Sequence, residues 1–242
     1  MKVVAVIPAR HGSTRFPGKP MALISEKPMI QHVYQRVKAS NNIDSVIVAT
    51  DHDDIYQAVV DFGGEAIITR KDHESGSDRM AEVASKVDGD LFLNVQGDEP
   101  LIRTELIDQI VKLALDNEES VVTAKVKIKD IEDLNSPNVV KVVADNQANA
   151  MYFSRSPIPY NRSIEPIHYF KHLGIYCFPK KTLEQFVTLP KSILEKTEML
   201  EQLRLLDNGI NIKVLETNYD AVGVDTPEDI LKVERILEAQ HG

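Results

Sequence analysis

Four stretches in the first hundred residues, "VVAVIPA" (3–9), "SVIVAT" (45–50), "EAIITR" (65–70) and "DLFLNVQ" (90–96), are apolar in near-continuous runs rather than in alternation. Strands of this kind are buried on both faces, which requires helices above and below a parallel sheet. The segments between them supply those helices. Ile30, Val33, Tyr34 and Val37 fall at helical spacing, as do Ile55, Ala58, Val59 and Phe62, and Gly63 and Gly64 are placed to end the second helix in a left-handed turn. A third helix is predicted around 78–87. A fourth runs from Thr104 to about Asn117, with Leu106, Ile107, Ile110, Val111, Leu113 and Ala114 on one broad face. Strand and helix in alternation are the signature of βαβ units with right-handed crossovers, so residues 1–118 are read as a doubly wound α/β half.

From about residue 120 the pattern changes. "SVVTAKVKI" alternates with period two, and "NVVKVVADNQANAMYFS" reads as two strands around an Asp-Asn turn, predicting antiparallel structure. Residues 155–171 carry three prolines and no periodicity, a long loop of the kind that is usually functional. "HLGIYCF" resumes a strand. Helices follow at about 180–188 and 193–207, a strand at 211–216, and a last helix from Thr226, where "TPEDI" offers an N-cap, a proline at the first helical position and acidic residues in the first turn. The whole is a single domain of 242 residues, large enough to bury a sizeable core.

The loop after the first strand, "ARHGSTRFPGKP", concentrates Arg10, Arg15 and Lys19 in a chain whose formal net charge is -9. That overall charge argues against a nucleic-acid or anionic-membrane surface, so an anionic ligand must be met by local cations. The loop lies at the carboxyl edge of the sheet, where open α/β sheets bind ligands. It is neither a dinucleotide fingerprint, since G-x-G-x-x-G is absent, nor a Walker A loop, since five residues separate Gly12 from Gly18 and Pro20 follows Lys19. A small-residue loop with two planar guanidinium forks and one compact ammonium suits a triphosphate. The alternative is a solvated basic turn paired with carboxylates.

Other segments add candidates that each have a plain structural reading. "NVQGDEP" brings Asp98 to the same edge and "GVDTPED" puts Asp225 before the last helix; together they suit Mg2+, which takes one or two protein oxygens and completes its shell with phosphate and water. Singly they read as a turn residue and a helix cap. "HESGSDR" could contact a nucleotide base through Ser75 and its backbone, or simply lead into a capped helix. Arg155 in "FSRSPIP" suits a substrate carboxylate. His172 and Tyr176 share a strand, and "EMLEQLR" offers Glu198, Glu201 and Gln202, of which Glu198 and Gln202 share a helical face at four-residue spacing. The bland readings are a surface cation, a core histidine and a solvated helix. Cys177 is the single cysteine, read as a buried small hydrophobe; with no apolar run near 20 residues and a strand at the very start, the expectation is a cytoplasmic protein.

Taken in order, "IPARHGSTRFPGKP", "VATDHDDI", "HESGSDR", "NVQGDEP", "AMYFSRSPIP", "KHLGIY", "EMLEQLR" and "GVDTPEDI" resemble the 3-deoxy-manno-octulosonate (Kdo) cytidylyltransferases over about residues 3 to 235. The resemblance implies a Rossmann-like nucleotidyltransferase fold, a mostly parallel sheet with helices on both faces and a smaller antiparallel substrate and dimerisation subdomain at about 155–210. It implies Mg2+ dependence, CTP and an acidic 2-keto-3-deoxy sugar as substrates, CMP-sugar and pyrophosphate as products for lipopolysaccharide synthesis, and a homodimer. By position it puts Arg10, Ser13, Arg15 and Lys19 on the phosphates, Ser75, Gly76, Arg79 and Gln96 near the cytidine, Asp98 and Asp225 on the metal, and Arg155, His172, Tyr176, Glu198 and Gln202 in the sugar-acid pocket. Arg10, Lys19, Asp98 and Asp225 would carry the chemistry. Two features depart from the family pattern: His11 stands where many members have tyrosine, and the loop between Asn161 and Lys171 is shorter than in many relatives. The shorter loop keeps an 8-amino analogue of Kdo, and less so a sialic acid, as rival substrates. A non-catalytic nucleotide-sugar sensor is the rival from another class, and a glycosyltransferase is disfavoured because no Asp-x-Asp metal motif follows a central strand, "TDHDD" lying after the second strand instead.

Overall fold

A computed structural model describes residues 1–12, 16–163 and 165–241. In chain order the first half holds β1 (Val3–Ala9), the hairpin β2 (Leu23–Ile24) and β3 (Lys27–Pro28), α1 (Met29–Lys38), β4 (Ser45–Thr50), α2 (Asp53–Asp61), β5 (Glu65–Ile68), α3 (Gly76–Lys86), β6 (Leu91–Asn94) and α4 (Thr104–Leu115). The second holds β7 (Val121–Lys127), α5 (Ile131–Asn135), β8 (Lys141–Ala144), β9 (Ala150–Ser154), β10 (Phe170–Pro179), α6 (Lys180–Thr188), α7 (Ile193–Glu198), α8 (Gln202–Asp207), β11 (Ile212–Thr217) and α9 (Pro227–His241). The main sheet runs β11-β7-β10-β6-β1-β4-β5, with β8 and β9 attached beside β10. β1 pairs in parallel with both β4 and β6, and β4 with β5, whereas β10 is antiparallel to β6 and β7. This is the Rossmann-like, mostly parallel fold expected, with a smaller antiparallel part.

Burial explains the pattern. Every residue of Val3–Ile7 is almost completely inaccessible, because one core packs α1, α2 and α4 on one face of the sheet and another packs α3, α6 and α8 on the other. Gly63 takes φ 80° just after α2, the left-handed turn that a glycine permits without strain.

Three expectations are corrected. The 120–128 segment is not half-exposed: Val121 to Ala124 are all buried, because β7 sits inside the sheet between β11 and β10 and pairs with β11 in parallel. The helix expected over 193–207 is two helices, broken where Met199 adopts φ 54°, ψ 48°. Its four-residue spacing therefore does not put Glu198 and Gln202 on one helical face. The fourth helix ends at Leu115, and a short α5 follows β7 without forewarning in the sequence.

A third, small core of Ile24, Met29, Leu101, Val224, Val233 and Leu237 fastens the C-terminal helix against the region after β6. The Val224 amide donates to Asp98 O at 2.9 Å. Residues distant in sequence by more than a hundred positions are thereby pinned together.

Candidate active site

After β1 the chain crosses to β4 and β5 on one side and then returns to β6 on the other, so the sheet switches direction between β1 and β6. A cleft of about 280 Å³ lies at the carboxyl ends of these two strands. Pro8, Ala9 and Arg10 of β1 and its loop form one wall; Gln96, Gly97 and Asp98 after β6 form another. Close approach of the two walls depends on glycine: a Cβ on Gly97 would lie 2.8 Å from Pro8 O.

Arg10, Lys19, Ser75, Gly76, Arg79, Gln96, Asp98 and Asp225 all line this cleft. Ser13 and Arg15 lie outside the described residues. Gly18, at φ 70°, turns the chain into a single 3-10 turn that begins with Lys19, and its amide donates to His11 O at 3.1 Å, closing the loop at its base. Lys19 Nζ reaches across the cleft to donate to Asp98 Oδ2 at 2.6 Å and Val224 O at 2.9 Å, with Asp225 Oδ1 at 3.5 Å.

Two carboxylates more than a hundred positions apart in the chain therefore meet at one ammonium. At the start of α9, Asp229 Oδ2 accepts from the amides of Asp225 and Thr226 and fixes the turn that carries Asp225. Asp98 and Asp225 keep side-chain exposures of 34% and 54%, so both carboxylates remain reachable by a ligand. Among the described residues no group of three or more His, Cys, Asp or Glu side chains could by itself hold a metal ion. Two hard oxygen donors beside a cationic loop fit Mg2+, which fills its remaining positions with phosphate and water, better than they fit a metal that needs a full protein cage.

The opposite wall comes from the start of α3. Ser75 is its N-cap and forms a reciprocal capping box with Asp78, so the structural reading of "HESGSDR" and its position on the cleft hold together. Arg79 is buried, with Nη1 donating to Thr69 Oγ1 at 2.5 Å and Nη2 to Asp51 Oδ2 at 3.2 Å. His73 also lines the cleft and contacts Glu82 Oε2 at 2.5 Å; it was not singled out from sequence, where a lone histidine in a polar loop carries no signal.

The five residues expected in the sugar pocket do not line the cleft, and they fall into two groups. His172 and Tyr176 flank a bulge in β10, where the register against β7 shifts between Leu173 and Tyr176. The bulge touches the cleft wall, since Gln96 Nε2 donates to Gly174 O at 3.2 Å. Their rings are 5.3 Å apart. The Thr123 hydroxyl donates to Ile175 O at 2.8 Å and so accepts from His172 Nε2 at 3.0 Å, which leaves Nδ1 as an acceptor. Burial pushes the His172 pKa down to about 3, so this ring is neutral. Arg155 and Glu198 form the second group. The guanidinium donates to Glu198 O at 2.8 Å and Pro137 O at 2.8 Å, while the Glu198 carboxylate accepts from Ser154 Oγ and the Arg155 amide. Gln202 is buried at the start of α8.

Glu201, to which the sequence gives no role of its own, has the more telling environment. Glu201 Oε1 accepts from Ser77 Oγ at 2.7 Å, whereas its Oε2, the Tyr176 hydroxyl and Asn94 Oδ1 are buried with no protein partner. Asn94 and Tyr176 are cross-strand partners, and Tyr176 feels the Glu201 charge. Burial, eased by Ser77 and Ser75, raises the Glu201 pKa. Buried polar atoms without partners are rare and mark a place where a ligand or ordered water completes the hydrogen bonds. The helix break at Met199, which the sequence does not signal, is what separates the roles of Glu198 and Glu201.

A doubly wound sheet whose switch point faces a cationic loop with two carboxylates defines a nucleotidyltransferase. The cytidylyltransferase family model matches residues 4–213. The chain belongs to the 3-deoxy-manno-octulosonate cytidylyltransferase family: it is 47% identical to the protein of that name from Pelobacter propionicus, over 99% of this chain and 98% of that one, and 48% identical to that from Thermodesulfovibrio yellowstonii, over 98% of each. A solved structure of CMP:2-keto-3-deoxy-manno-octonic acid synthetase complexed with CTP superposes with a TM-score of 0.96 at 45% identity, covering 99% of this chain and 100% of that chain. The 4-diphosphocytidyl-2C-methyl-D-erythritol synthase of Anaerococcus prevotii, at 17% identity and a TM-score of 0.66, shares the fold alone.

Proposed function

We propose that the protein transfers CMP from CTP to the anomeric 2-hydroxyl of 3-deoxy-manno-octulosonate, releasing pyrophosphate, in the cytoplasmic supply of an activated sugar for lipopolysaccharide. The observation that carries this reading is the convergence of Asp98 and Asp225 on Lys19 at the sheet's switch point, opposite Ser75, Gly76 and Gln96. The 2-hydroxyl oxygen attacks the α-phosphorus in line, the bond from that phosphorus to the bridging oxygen of the β-phosphate breaks, and the hydroxyl proton leaves to solvent. Arg10 and Lys19 neutralise the phosphates as negative charge shifts onto pyrophosphate, and positioning by the cleft walls supplies much of the rate. Asp98 and Asp225 would hold Mg2+, which when bound withdraws charge from the α-phosphate and eases loss of the hydroxyl proton. No side-chain nucleophile is needed: Cys177 is buried and its pKa is pushed up to about 12 by desolvation.

The sugar acid is assigned to the wall formed by the β10 bulge and α8. Neutral His172, the Tyr176 hydroxyl and Glu201 Oε2 offer an acceptor, a donor and an acceptor for sugar hydroxyls, with Gln202, Arg155 and Glu198 beside them. The reading also includes a homodimer built on residues 155–210, supported by Tyr160, Ile193 and Met199, which are 87%, 80% and 76% exposed. No helix among the described residues is long and apolar enough to cross a membrane.

The test is pyrophosphate release with CTP and Mg2+ against Kdo, 8-amino-Kdo and a sialic acid. Release with Kdo at far the highest kcat/KM supports the proposal. Preference for the 8-amino sugar or the sialic acid replaces the substrate, and no release with any of the three favours a sensor.

A further inference from the structure

The loop that follows β1 must present Arg10 and Lys19 to a triphosphate in one arrangement, and at its far end Phe16 and Met21 pack against neighbouring cores. Two consecutive residues after β4 hold it. Asp51 Oδ1 accepts the His11 amide at 3.1 Å. The His52 ring stacks on the His11 ring, with centroids 4.1 Å apart and planes inclined by 18°. The carbonyl of the same His11 accepts from Gly18, next to Lys19, so a hold on His11 is a hold on both ends of the loop.

Both holding residues are themselves anchored. Asp51 Oδ2 takes Arg79 Nη2, and with Thr69 it is the counterpart that lets this guanidinium remain 97% buried beside the α3 wall; its residual exposure is 3%. His52 caps α2: its Nδ1 accepts the Asp54 amide, which fixes the ring. One short segment, Asp51–His52, thus links the phosphate loop to the opposite wall of the cleft and to the rigid sheet.

We propose that Asp51 and His52 are positioning residues for the triphosphate loop, Asp51 through the His11 amide and Arg79, and His52 through its ring stack on His11. This rests on the reading of the cleft as a CTP site. It also accounts for His11: an aromatic ring is wanted at that position as the partner of His52, and tyrosine would serve the same purpose.

The energetic effect is preorganisation. When the stack is lost, part of the free protein holds the loop in non-binding arrangements, and the apparent dissociation constant rises by the inverse of the competent fraction. Bound CTP reorders the loop, so turnover at saturation is unchanged. An aromatic stack corresponds to a shift of about three- to tenfold in such an equilibrium.

Asp51→Ala strips the buried Arg79 of its partner and risks misfolding, so the decisive variants are on the ring pair. His52→Asn keeps an oxygen in place to cap α2 but removes the ring. His11→Ala removes the other ring, and His11→Phe retains one. CTP binding is measured by calorimetry, and kcat with KM for CTP and for Kdo by pyrophosphate release. His52→Asn and His11→Ala should each raise Kd and KM for CTP about three- to tenfold, with kcat and KM for Kdo unchanged and Tm within a few degrees of the parent. The double variant should be no worse than either single one, and His11→Phe should bind as the parent does. Parent binding of CTP with no weakening in His52→Asn, or additive effects in the double variant, overturns the proposal. Equal rises in the KM for Kdo overturn it as well, since they mark a general structural role. Failure of the parent protein to bind CTP overturns the underlying reading of the cleft instead.

Discussion

Replacing Asp98 by alanine separates the fold from the chemistry. In the free protein Asp98 accepts a charge-assisted hydrogen bond from Lys19 at 2.6 Å, the Lys19 side chain being 14% exposed and that of Asp98 34%. A hydrogen bond to a charged group contributes about 1.5–3 kcal/mol when well shielded, and solvent screening at this exposure brings it to about 1 kcal/mol. The loss is partly offset, because Lys19 retains Val224 O and Asp225 and the repulsion between the two carboxylates disappears. Backbone pinning of the site persists, since the bond from the Val224 amide runs to the main-chain oxygen of residue 98. For a chain of this size a change of about 1 kcal/mol moves Tm by about 2–4 °C. The chemical effect is far larger: removing one of the two carboxylates proposed to hold Mg2+ forfeits several kcal/mol of transition-state stabilisation, and about 4 kcal/mol corresponds to about 10³-fold in rate. Asp98→Ala should therefore melt within a few degrees of the parent and release pyrophosphate from CTP and Kdo at least about 10³-fold more slowly. A folded variant with near-parental turnover refutes the metal assignment, and a variant that fails to fold refutes the claim that the third small core, rather than this ion pair, holds the site together.

Other outcomes follow from single contacts. Gly97→Ala places a Cβ 2.8 Å from Pro8 O and forces the β1 and β6 ends apart; it should lower stability by about 1–3 kcal/mol in urea denaturation and depress kcat/KM. Tyr176→Phe removes a buried hydroxyl that has no protein partner, so stability without ligand should stay within about 1 kcal/mol of the parent while KM for Kdo rises about five- to tenfold. Burial would raise the Glu82 pKa, but Lys86, the Arg70 amide and His73 together hold it down to about 2. Because this folded value lies below the ordinary 4.5, the stabilisation is present above pH 4.5 and is lost as pH falls towards 2; urea midpoints measured from pH 6 to pH 3 should fall less steeply in Glu82→Gln than in the parent.

The first half of the chain was legible because its signals are local. Continuous apolar strands, helical periodicity and Gly63 each act within a few residues, and burial on both faces follows from composition alone. The β7 segment misled for a related reason. Apparent alternation in "SVVTAKVKI" is compatible with one wet face, but neighbours on both edges and helices on both sides bury Thr123 and the residues around it. Met199 is the harder case. Nothing in "KTEMLEQL" breaks a helix, and the left-handed turn there lets Glu198 engage Arg155 and Ser154 while Glu201 turns towards Ser77 and Tyr176.

What the sequence determined by itself was the kind of chemistry: cations clustered on a loop after a buried strand, in an acidic chain, with carboxylates at the ends of other elements. Residue type and position along an element decide those features, and both are written in the chain. Only the tertiary structure decided that Asp98 and Asp225 share Lys19, that Asp51 and His52 hold the loop, and that Glu201 rather than Glu198 carries the unpartnered oxygen. Each depends on the return of β6 to the other side of β1, on α9 closing a small core over Leu101 and Val224, or on one left-handed residue, and such long-range packing leaves no periodic trace in the amino-acid order.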